Sequence, residues 1–571
     1  MFRKREQSQP QTLESMRLSR FQRRRLVNSW PVAFREQILP LLREEDFAHF
    51  FHPTHGAPNC PVQVVLGILL LKDMFSLSDN EALDHFAFDL RWHVALDVVA
   101  VPLSCCQKTL HNFRVRLRDR DASAKVFFDL ASRLKDLLDL DVSRQRLDST
   151  HVRSDCAILT RLGLFCESIR LFLRRLSKDQ PACFSMTPEQ LRLRYCDDEG
   201  QASRYDHAQS DKGRRRLPVV ARDLQRLLDI FGDLKELQDW PELTTCRRLK
   251  EEQCHSTEEP VRPKEGDDDS GLGAASVQPR QPKDISAASL QTPHDPDVTY
   301  GKKGQGYEVH IAETFGNKTE EEPDKPELIT YASVMPSCSS DVHFTIPVLK
   351  SLKERGMQPE ELEVDSNYTS STVILEARQM GTEVNGPVKG RGSLPTSEEV
   401  TLGDFQVDVE DAQKSKCPQG HAPSSQEVVC KAAAAKEVGT PQTEKQEEKS
   451  RRISLGMLTT VCAVCCVQSV CPMGKAKESK ECAGQRELRF EEEELVSSQR
   501  RRYQTTAAYQ EKYRNRAGIE ATNSEAKRAH GLGKLRVRGQ ERVQQAVYLK
   551  LTACNVKRVV HYLSRVAKAQ E

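Results

Sequence analysis

Tyr513, Arg516, Glu520 and Lys527 stand at i, i+3, i+7 and i+14 in the run YRNRAGIEATNSEAK. A helix of 3.6 residues per turn puts all four on one stripe. The spacing therefore predicts a helix that presents an aromatic ring, a guanidinium, a carboxylate and an ammonium in one direction. That combination suits a metal-bound carboxylate working beside a polyanion. The alternative is a solvated charged helix, the commoner origin of such runs.

Upstream carboxylates favour the first reading. In-line displacement at a phosphodiester needs charge neutralised on both the attacking and the leaving oxygen. Two Mg²⁺ ions roughly 3.5–4 Å apart do this when carboxylates hold them. Few protein carboxylates are needed, because water and phosphate complete the shell of a hard octahedral ion. Asp148 lies on a predicted strand, Arg146–Val152 (RLDSTHV), and Asp365 ends a second one, Leu362–Asp365, in ELEVDSNY. With Glu520 on its helix, two strand aspartates and a late glutamate form the acid set of an α/β RNase H-like catalytic core. Each has a plainer reading. Asp148 could bond a turn at its strand end, with Asp141 and Asp155 as substitutes, and Asp365 could make an Asx-turn before Asn367. Glu525 rivals Glu520 but faces another side of the helix.

The chain has 571 residues, enough for two to four domains of roughly 100–200 residues each. Net charge is only +2, yet residues 501–571 hold 16 Lys/Arg against 5 Glu and no Asp. A neutral total with a basic tail favours a nucleic-acid partner for that tail. The longest apolar run, Val64–Leu71, is too short to span a bilayer. The N-terminus is polar, without the apolar stretch of a secretory signal. Eighteen scattered Cys do not suggest a disulfide framework. The expectation is a cytoplasmic, nucleoid-associated protein with no membrane partner.

Residues 1–25 read as a basic lead-in and 26–120 as a helical module able to dock on DNA. Pro61 suits the start of a helix over Val62–Met74. Ser78 with Glu81, and Ser104 with Gln107, have capping-box spacing. The helix after Ser104 has Leu110, Phe113 and Leu117 on one face and Arg114, Arg116, Arg118 and Arg120 elsewhere. Residues 142–390 read as the first part of the core. Within them, 156–245 form a helical insertion whose stripe Val220, Leu224, Leu227, Leu228, Phe231 is core or a dimer seam. Residues 250–295, rich in Glu, Pro, Ser, Gln and Gly, are expected to be disordered. Strands at Gly306–Phe315 and Leu328–Met335, a helix near Val342–Lys353 and another over 366–380 continue the core. Residues 391–495 read as an insertion with a low-complexity loop over 395–455 and a Cys-rich patch. Residues 496–571 carry the Glu520 helix and basic terminal helices, with Val556, Val559, Val560 and Leu563 on one apolar face.

In that patch, Cys417, Cys462, Cys465 and Cys471 form a candidate set for a structural zinc, which takes four such ligands. The alternative is a group of reduced, partly buried thiols. Beyond Lys527, the residues Arg528, Lys534, Arg536 and Arg538 alternate with apolar residues between glycines, as cations tracking a DNA backbone would. A glycine there is expected to end the Glu520 helix.

The chain resembles the DDE transposases of bacterial insertion sequences, the branch with an InsH-type N-terminal domain. The likeness rests on SLSDNEALDHFAFDLRWHVALDV with TLHNFRVRL, then LDSTHV, GYEVHI, EVDSNYTSS, CPQGH and YRNRAGIEATNSEAKRAHGLGKLRVRG, in the family's order. The spacing of Tyr513, Arg516, Glu520 and Lys527 matches the family's Y-(2)-R-(3)-E-(6)-K signature. The long insertion after Asp148 and residues 395–455 depart from the family. The resemblance implies that Asp148, Asp365 and Glu520 hold two Mg²⁺, with Mn²⁺ as a substitute, and that Tyr513, Arg516 and Lys527 touch the DNA backbone. It implies cleavage and strand transfer of double-stranded DNA, with transposon terminal repeats and target DNA as partners and a homodimer as the working unit. An RNase H-like nuclease without strand transfer and a domesticated, inactive DNA-binding protein are the rival readings.

Overall fold

The computed structural model describes residues 1–5, 18–56, 58–98, 103–119, 122–196, 211–261, 275–316, 324–388, 393–431, 450–479 and 482–570. The helix Val62–Met74 is apolar on nearly every face, so it has to lie at the centre of something. Helices Gln107–Asp119 and Ala122–Leu138 pack around it, and the long terminal helix Gln540–Ala569 adds Leu549, Ala553, Val556, Val559 and Val560 to the same core. The N-terminal helical region and the chain's far end therefore share one hydrophobic interior. Ser78 and Glu81 form the expected capping box. The helix at Gln107 instead opens on Cys106, whose carbonyl accepts from the Thr109 and Leu110 N–H groups. Arg114 is spoken for by Asp79, Arg116 lies over the Phe51 ring and Arg118 pairs with Asp119. Arg120 falls outside the described residues.

A mixed sheet forms the middle of the molecule. Strand β1 (Arg144–Val152) runs antiparallel to β2 (Gly304–Thr314), which runs antiparallel to β3 (Ile329–Pro336). On its other side β1 runs parallel to β4 (Glu361–Val364), and β4 parallel to β5 (Glu383–Asn385). The order is β3-β2-β1-β4-β5, with a short hairpin strand, Thr299–Gly301, beside β2. Helices Thr345–Glu354 and Ser371–Gln379 make the crossovers that parallel strands require. Alternate side chains of β2 feed opposite layers. Tyr307, Val309 and Ile311 meet Val543, Val547 and Leu551 of the terminal helix, while Ala312 meets Leu349, Leu352 and Val364.

Two large excursions leave this sheet. Between β1 and β2, helices Arg161–Asp179, Asp211–Phe231 and Pro241–Gln253 build their own core from Phe165, Phe172, Leu224, Leu227 and Phe231. The stripe on the second helix is thus core, with Leu228 partly buried at its margin. The disorder expected over 250–295 is not found where the structure describes that stretch. Cys254–Val261 and Ala275–Pro279 pair as a ribbon, and Val277 and Leu290 are buried in the insertion's core. Arg161 donates to the Arg280 carbonyl and the Gln253 side chain, a tertiary tie that composition does not reveal.

After β5, the loop expected over 395–455 carries two strands of a three-stranded antiparallel sheet. These are β6 (Ser425–Lys431), β7 (Ser450–Leu458) and β8 (Gln485–Glu491), with β7 central. Ile453, Leu455 and Phe490 bury against Phe405 and explain why this polar stretch folds. The Ala432–Ala435 segment lies outside the described residues. Helix Glu492–Gln504 returns the chain to the core sheet, where Arg500 bonds Asn385 and the Val384 carbonyl of β5. No described helix is long and apolar enough to cross a membrane.

Candidate active site

The parallel register between β1 and β4 brings two distant aspartates side by side. Leu147 is paired with Val364, so Asp148 and Asp365 are the next residues on neighbouring strands. Asp148 also sits opposite Ile311 of β2, which places its side chain on the sheet face covered by the terminal helix. Its Oδ1 accepts from the Ser149 N–H at 2.8 Å. Asp365 lies where β4 turns away. Its carboxylate accepts from the Ser366 N–H (2.6 Å) and the Asn367 side chain (3.2 Å). These two donors, one from the next residue's backbone and one from the Asn367 side chain, orient the carboxylate. Tyr368 anchors that turn, donating its N–H to the Asp365 carbonyl and sharing a 2.7 Å hydrogen bond with His310 Nδ1 beneath the sheet. Burial holds the His310 imidazole down to about 4.

Glu520 reaches this pair through Arg516. The Arg516 guanidinium lies 3.0 Å from Asp148 Oδ2 and 3.3 Å from Glu520 Oε1, bridging the two carboxylates. Asp148, Asp365, Glu520, Arg516, Lys527 and Arg528 all line one open cleft of about 1040 Å³. Burial pushes the Asp148 carboxyl above its ordinary value, and nearby Asp365 adds to the rise against Arg516, the Ser149 N–H and Lys303. Burial likewise lowers the Lys527 ammonium, helped by Lys303. Acids crowded with like charge and held near cations are arranged to receive a divalent ion and a phosphate.

The single helical stripe expected from Tyr513 to Lys527 is interrupted. Tyr513 lies in the last turn of helix Ala507–Arg514, Arg516 lies on the tight 3-10 turn Asn515–Ala517, and Glu520 and Lys527 lie on helix Gly518–Ala529. The cause is long-range. Arg146 of β1 donates to the Asn515 carbonyl at 2.8 Å, and its guanidinium lies so close to Gly518 that a Cβ there would fall 1.9 Å from Nη1. Arg146 is in turn paired with the fully buried Glu313 at 2.7 Å and with Glu327. Glu313 also accepts from Thr522 (2.6 Å) and Arg558 (3.2 Å). This buried ionic network fixes the start of the Glu520 helix. Tyr513 stacks on Tyr509, 5.4 Å between ring centres, and burial raises its hydroxyl, with Asp365 and Asp148 contributing.

The helix ends at Ala529, and Gly531 takes the left-handed φ of +64° expected of a terminating glycine. The chain then runs extended beside the end of β1, where Arg153 donates its N–H to the Gly533 carbonyl and accepts from the Leu535 N–H. Leu532 and Leu535 point inward, leaving Lys534, Arg536 and Arg538 exposed on one strap. Arg538 donates to the Asp155 carbonyl. The substitutes for the acid set lie elsewhere: Asp141 caps the turn at Ser143, Asp155 bonds the strap, and Glu525 pairs with Arg558. Glu308, Asp341, Lys302 and Lys303 also line the cleft and were not singled out in the sequence. The Lys302-Lys303 pair between glycines was a readable signal of a basic hairpin tip; Asp341 had none.

Cys417, Cys462, Cys465 and Cys471 surround one small cavity together with His421 and Met457. No three of those sulfurs lie within 4.8 Å of one another.

A family model described as Transposase DDE domain matches residues 429–560, and one described as Transposase domain (DUF772) matches residues 20–116. The first takes in Glu520, Arg516, Lys527, Arg528 and most of the terminal helix; the second takes in the helical N-terminal region. Asp148 and Asp365 lie outside both. No curated protein and no solved structure matches the chain.

Proposed function

Since the chain belongs to the insertion-sequence DDE transposases, we propose that Asp148, Asp365 and Glu520 are its catalytic acids. The carrying observation is the register that sets Asp148 beside Asp365, joined to Glu520 by the Arg516 bridge. The strand order β3-β2-β1-β4-β5, with only β2 antiparallel to the rest, supports an RNase H-like reading of the core.

The donor set is all hard carboxylate oxygen, which fits Mg²⁺ or Mn²⁺ and not a soft ion. Two such ions, when bound, supply activation of the attacking oxygen and neutralisation of the departing 3′-oxygen. The protein's own groups do the rest. Asp148 and Asp365 are held rigid by the sheet and by backbone N–H donors. Arg516 keeps Asp148 and Glu520 within reach of each other and is released from them as ions are held, becoming free for a phosphate. Lys527, Arg528, Lys302 and Lys303 border the cleft where a DNA backbone would lie. Lys534, Arg536 and Arg538 extend the basic track along the strap.

The substrate on this reading is double-stranded DNA, the element's own terminal repeats and then a target. Two ends cut together imply at least a homodimer on DNA, and the protein works wherever that DNA lies. The cavity ringed by Cys417, Cys462, Cys465 and Cys471 supports a structural zinc in the β6–β8 lobe; binding there would need the thiols to close inward, and metal content of Cys462→Ser against the parent chain tests it.

The decisive assay joins end-labelled terminal DNA to a plasmid in Mg²⁺. Cutting and joining that both vanish in Asp148→Ala, with DNA binding kept, is the result this reading requires. Cutting without joining would favour a nuclease, and unchanged activity would remove Asp148 from the chemistry.

A further inference from the structure

On the face of the Glu520 helix turned away from the cleft lies a second group of chemically able side chains that the DNA reaction does not use. Glu525, His530 and Cys554 each offer a ligand atom, and the three atoms all lie within 4.8 Å of one another. They come from the last turns of helix Gly518–Ala529, from the residue that ends it, and from the middle of the terminal helix. Both His530 and Cys554 are fully buried.

The hydrogen bonding around His530 fixes its tautomer. Nδ1 lies 2.9 Å from the backbone carbonyl of Asp73, which can only accept, so Nδ1 carries the proton. The lone pair is then on Nε2, which is buried without a hydrogen-bond partner. A buried acceptor left unpaired is costly and calls for an explanation. An imidazole whose far nitrogen donates to a carbonyl is the usual arrangement of a metal-binding histidine. Cys554 is a free thiol. Arg558 makes both of its bonds to Glu525 on Oε2, at 2.7 and 2.9 Å, which leaves Oε1 for another partner.

We propose that Glu525 Oε1, His530 Nε2 and Cys554 Sγ together bind one zinc-class divalent ion. Mixed oxygen, nitrogen and sulfur donors suit a borderline ion of that kind and not Mg²⁺. The thiol binds as thiolate: the S–H bond breaks, the sulfur–metal bond forms, and the proton leaves to solvent. Of the three, Glu525 also borders a groove of about 910 Å³ with Thr522, Arg558 and His561, from which water would complete the shell. Nearby positive charge on Arg558 and Lys550 is offset by Glu313 and Asp73, to which those cations are already bonded. The ion would tie the Glu520 helix to the terminal helix and, through the Asp73 carbonyl, to the central N-terminal helix. The site is structural and independent of the cleft.

The test uses the full chain stripped of metal and titrated with Co²⁺. A thiolate-to-cobalt absorption band that Zn²⁺ displaces is expected in Cys462→Ser, which disables the cysteine cavity of the β6–β8 lobe, and its loss is expected when Cys554→Ala is added to that variant. Zn²⁺ should also raise the melting temperature of Cys462→Ser and not of the double variant, which keeps a good helix former at position 554. Absence of the band in Cys462→Ser, or its survival in the double variant, would each overturn the assignment.

Discussion

Two residues apart on β1, Arg146 and Asp148 belong to ion-pair clusters of opposite character. Arg146 is nearly inaccessible and meets Glu313, Glu327 and the backbone of the Asn515 turn, with Arg558 and Thr522 closing the network from the other side. Asp148 is part-exposed in an open cleft and meets an arginine whose second partner, Glu520, is largely in solvent. The same guanidinium–carboxylate chemistry thus serves two purposes. Around Arg146 it is sealed from water and fixes geometry; around Asp148 it can be exchanged for other ligands. A transposase core needs both, since acids drawn from distant parts of the chain must be held still while their charge stays available.

The comparison breaks most visibly if either aspartate is removed. Asp148→Ala or Asp365→Ala should lower DNA cleavage by on the order of 10³-fold, because a lost metal ligand is worth several kcal/mol of transition-state stabilisation. Electrophoretic mobility of a DNA duplex should be nearly unchanged in the same variants. On the sealed side, Glu313→Ala strands Arg146 and Arg558 without their shared partner. Unfolding in urea should then show a loss of about 3–5 kcal/mol. Arg516→Ala, by contrast, should cost less in the same experiment, since Glu520 is largely in solvent and Asp148 lines an open cleft.

Acidity sharpens the contrast further. The Asp148 carboxyl is raised by burial and by Asp365, so it stays protonated at pH values where a free aspartate is already ionised. Metal binding requires the ionised form. Cleavage should therefore fall as pH drops through that raised value, and more Mg²⁺ should move the acid limb of the profile to lower pH. In Arg516→Ala the limb should move to higher pH, because an adjacent cation that favours the ionised carboxylate is lost. The smallest effect belongs to the strap: Lys534→Ala with Arg536→Ala should reduce the slope of log affinity against log salt by about two, leaving cleavage of bound DNA intact.

The strands that carry Asp148 and precede Asp365 were legible in the sequence because strand patterning is local. RLDSTHV and ELEVDSNY read as strands and proved to be neighbours, although only the register between Leu147 and Val364 shows that Asp148 and Asp365 touch the same cleft. What the sequence concealed came from long-range contacts. The break before Gly518 exists because Arg146 occupies the space a side chain would need. The ribbon at Cys254–Val261 folds because Val277, Leu290 and Arg280 find partners in the insertion, against a composition typical of disorder. The terminal helix read as a separate amphipathic element, and its apolar face turned out to complete the N-terminal core.

The most direct measurement is Mn²⁺ binding to the full chain, followed by electron paramagnetic resonance with a duplex of the terminal sequence present. If the three acids share their ions, Asp148→Asn, Asp365→Asn and Glu520→Gln should each weaken the same population of bound Mn²⁺. Unaltered Mn²⁺ binding in Glu520→Gln, with the two aspartate variants impaired, would contradict a common site.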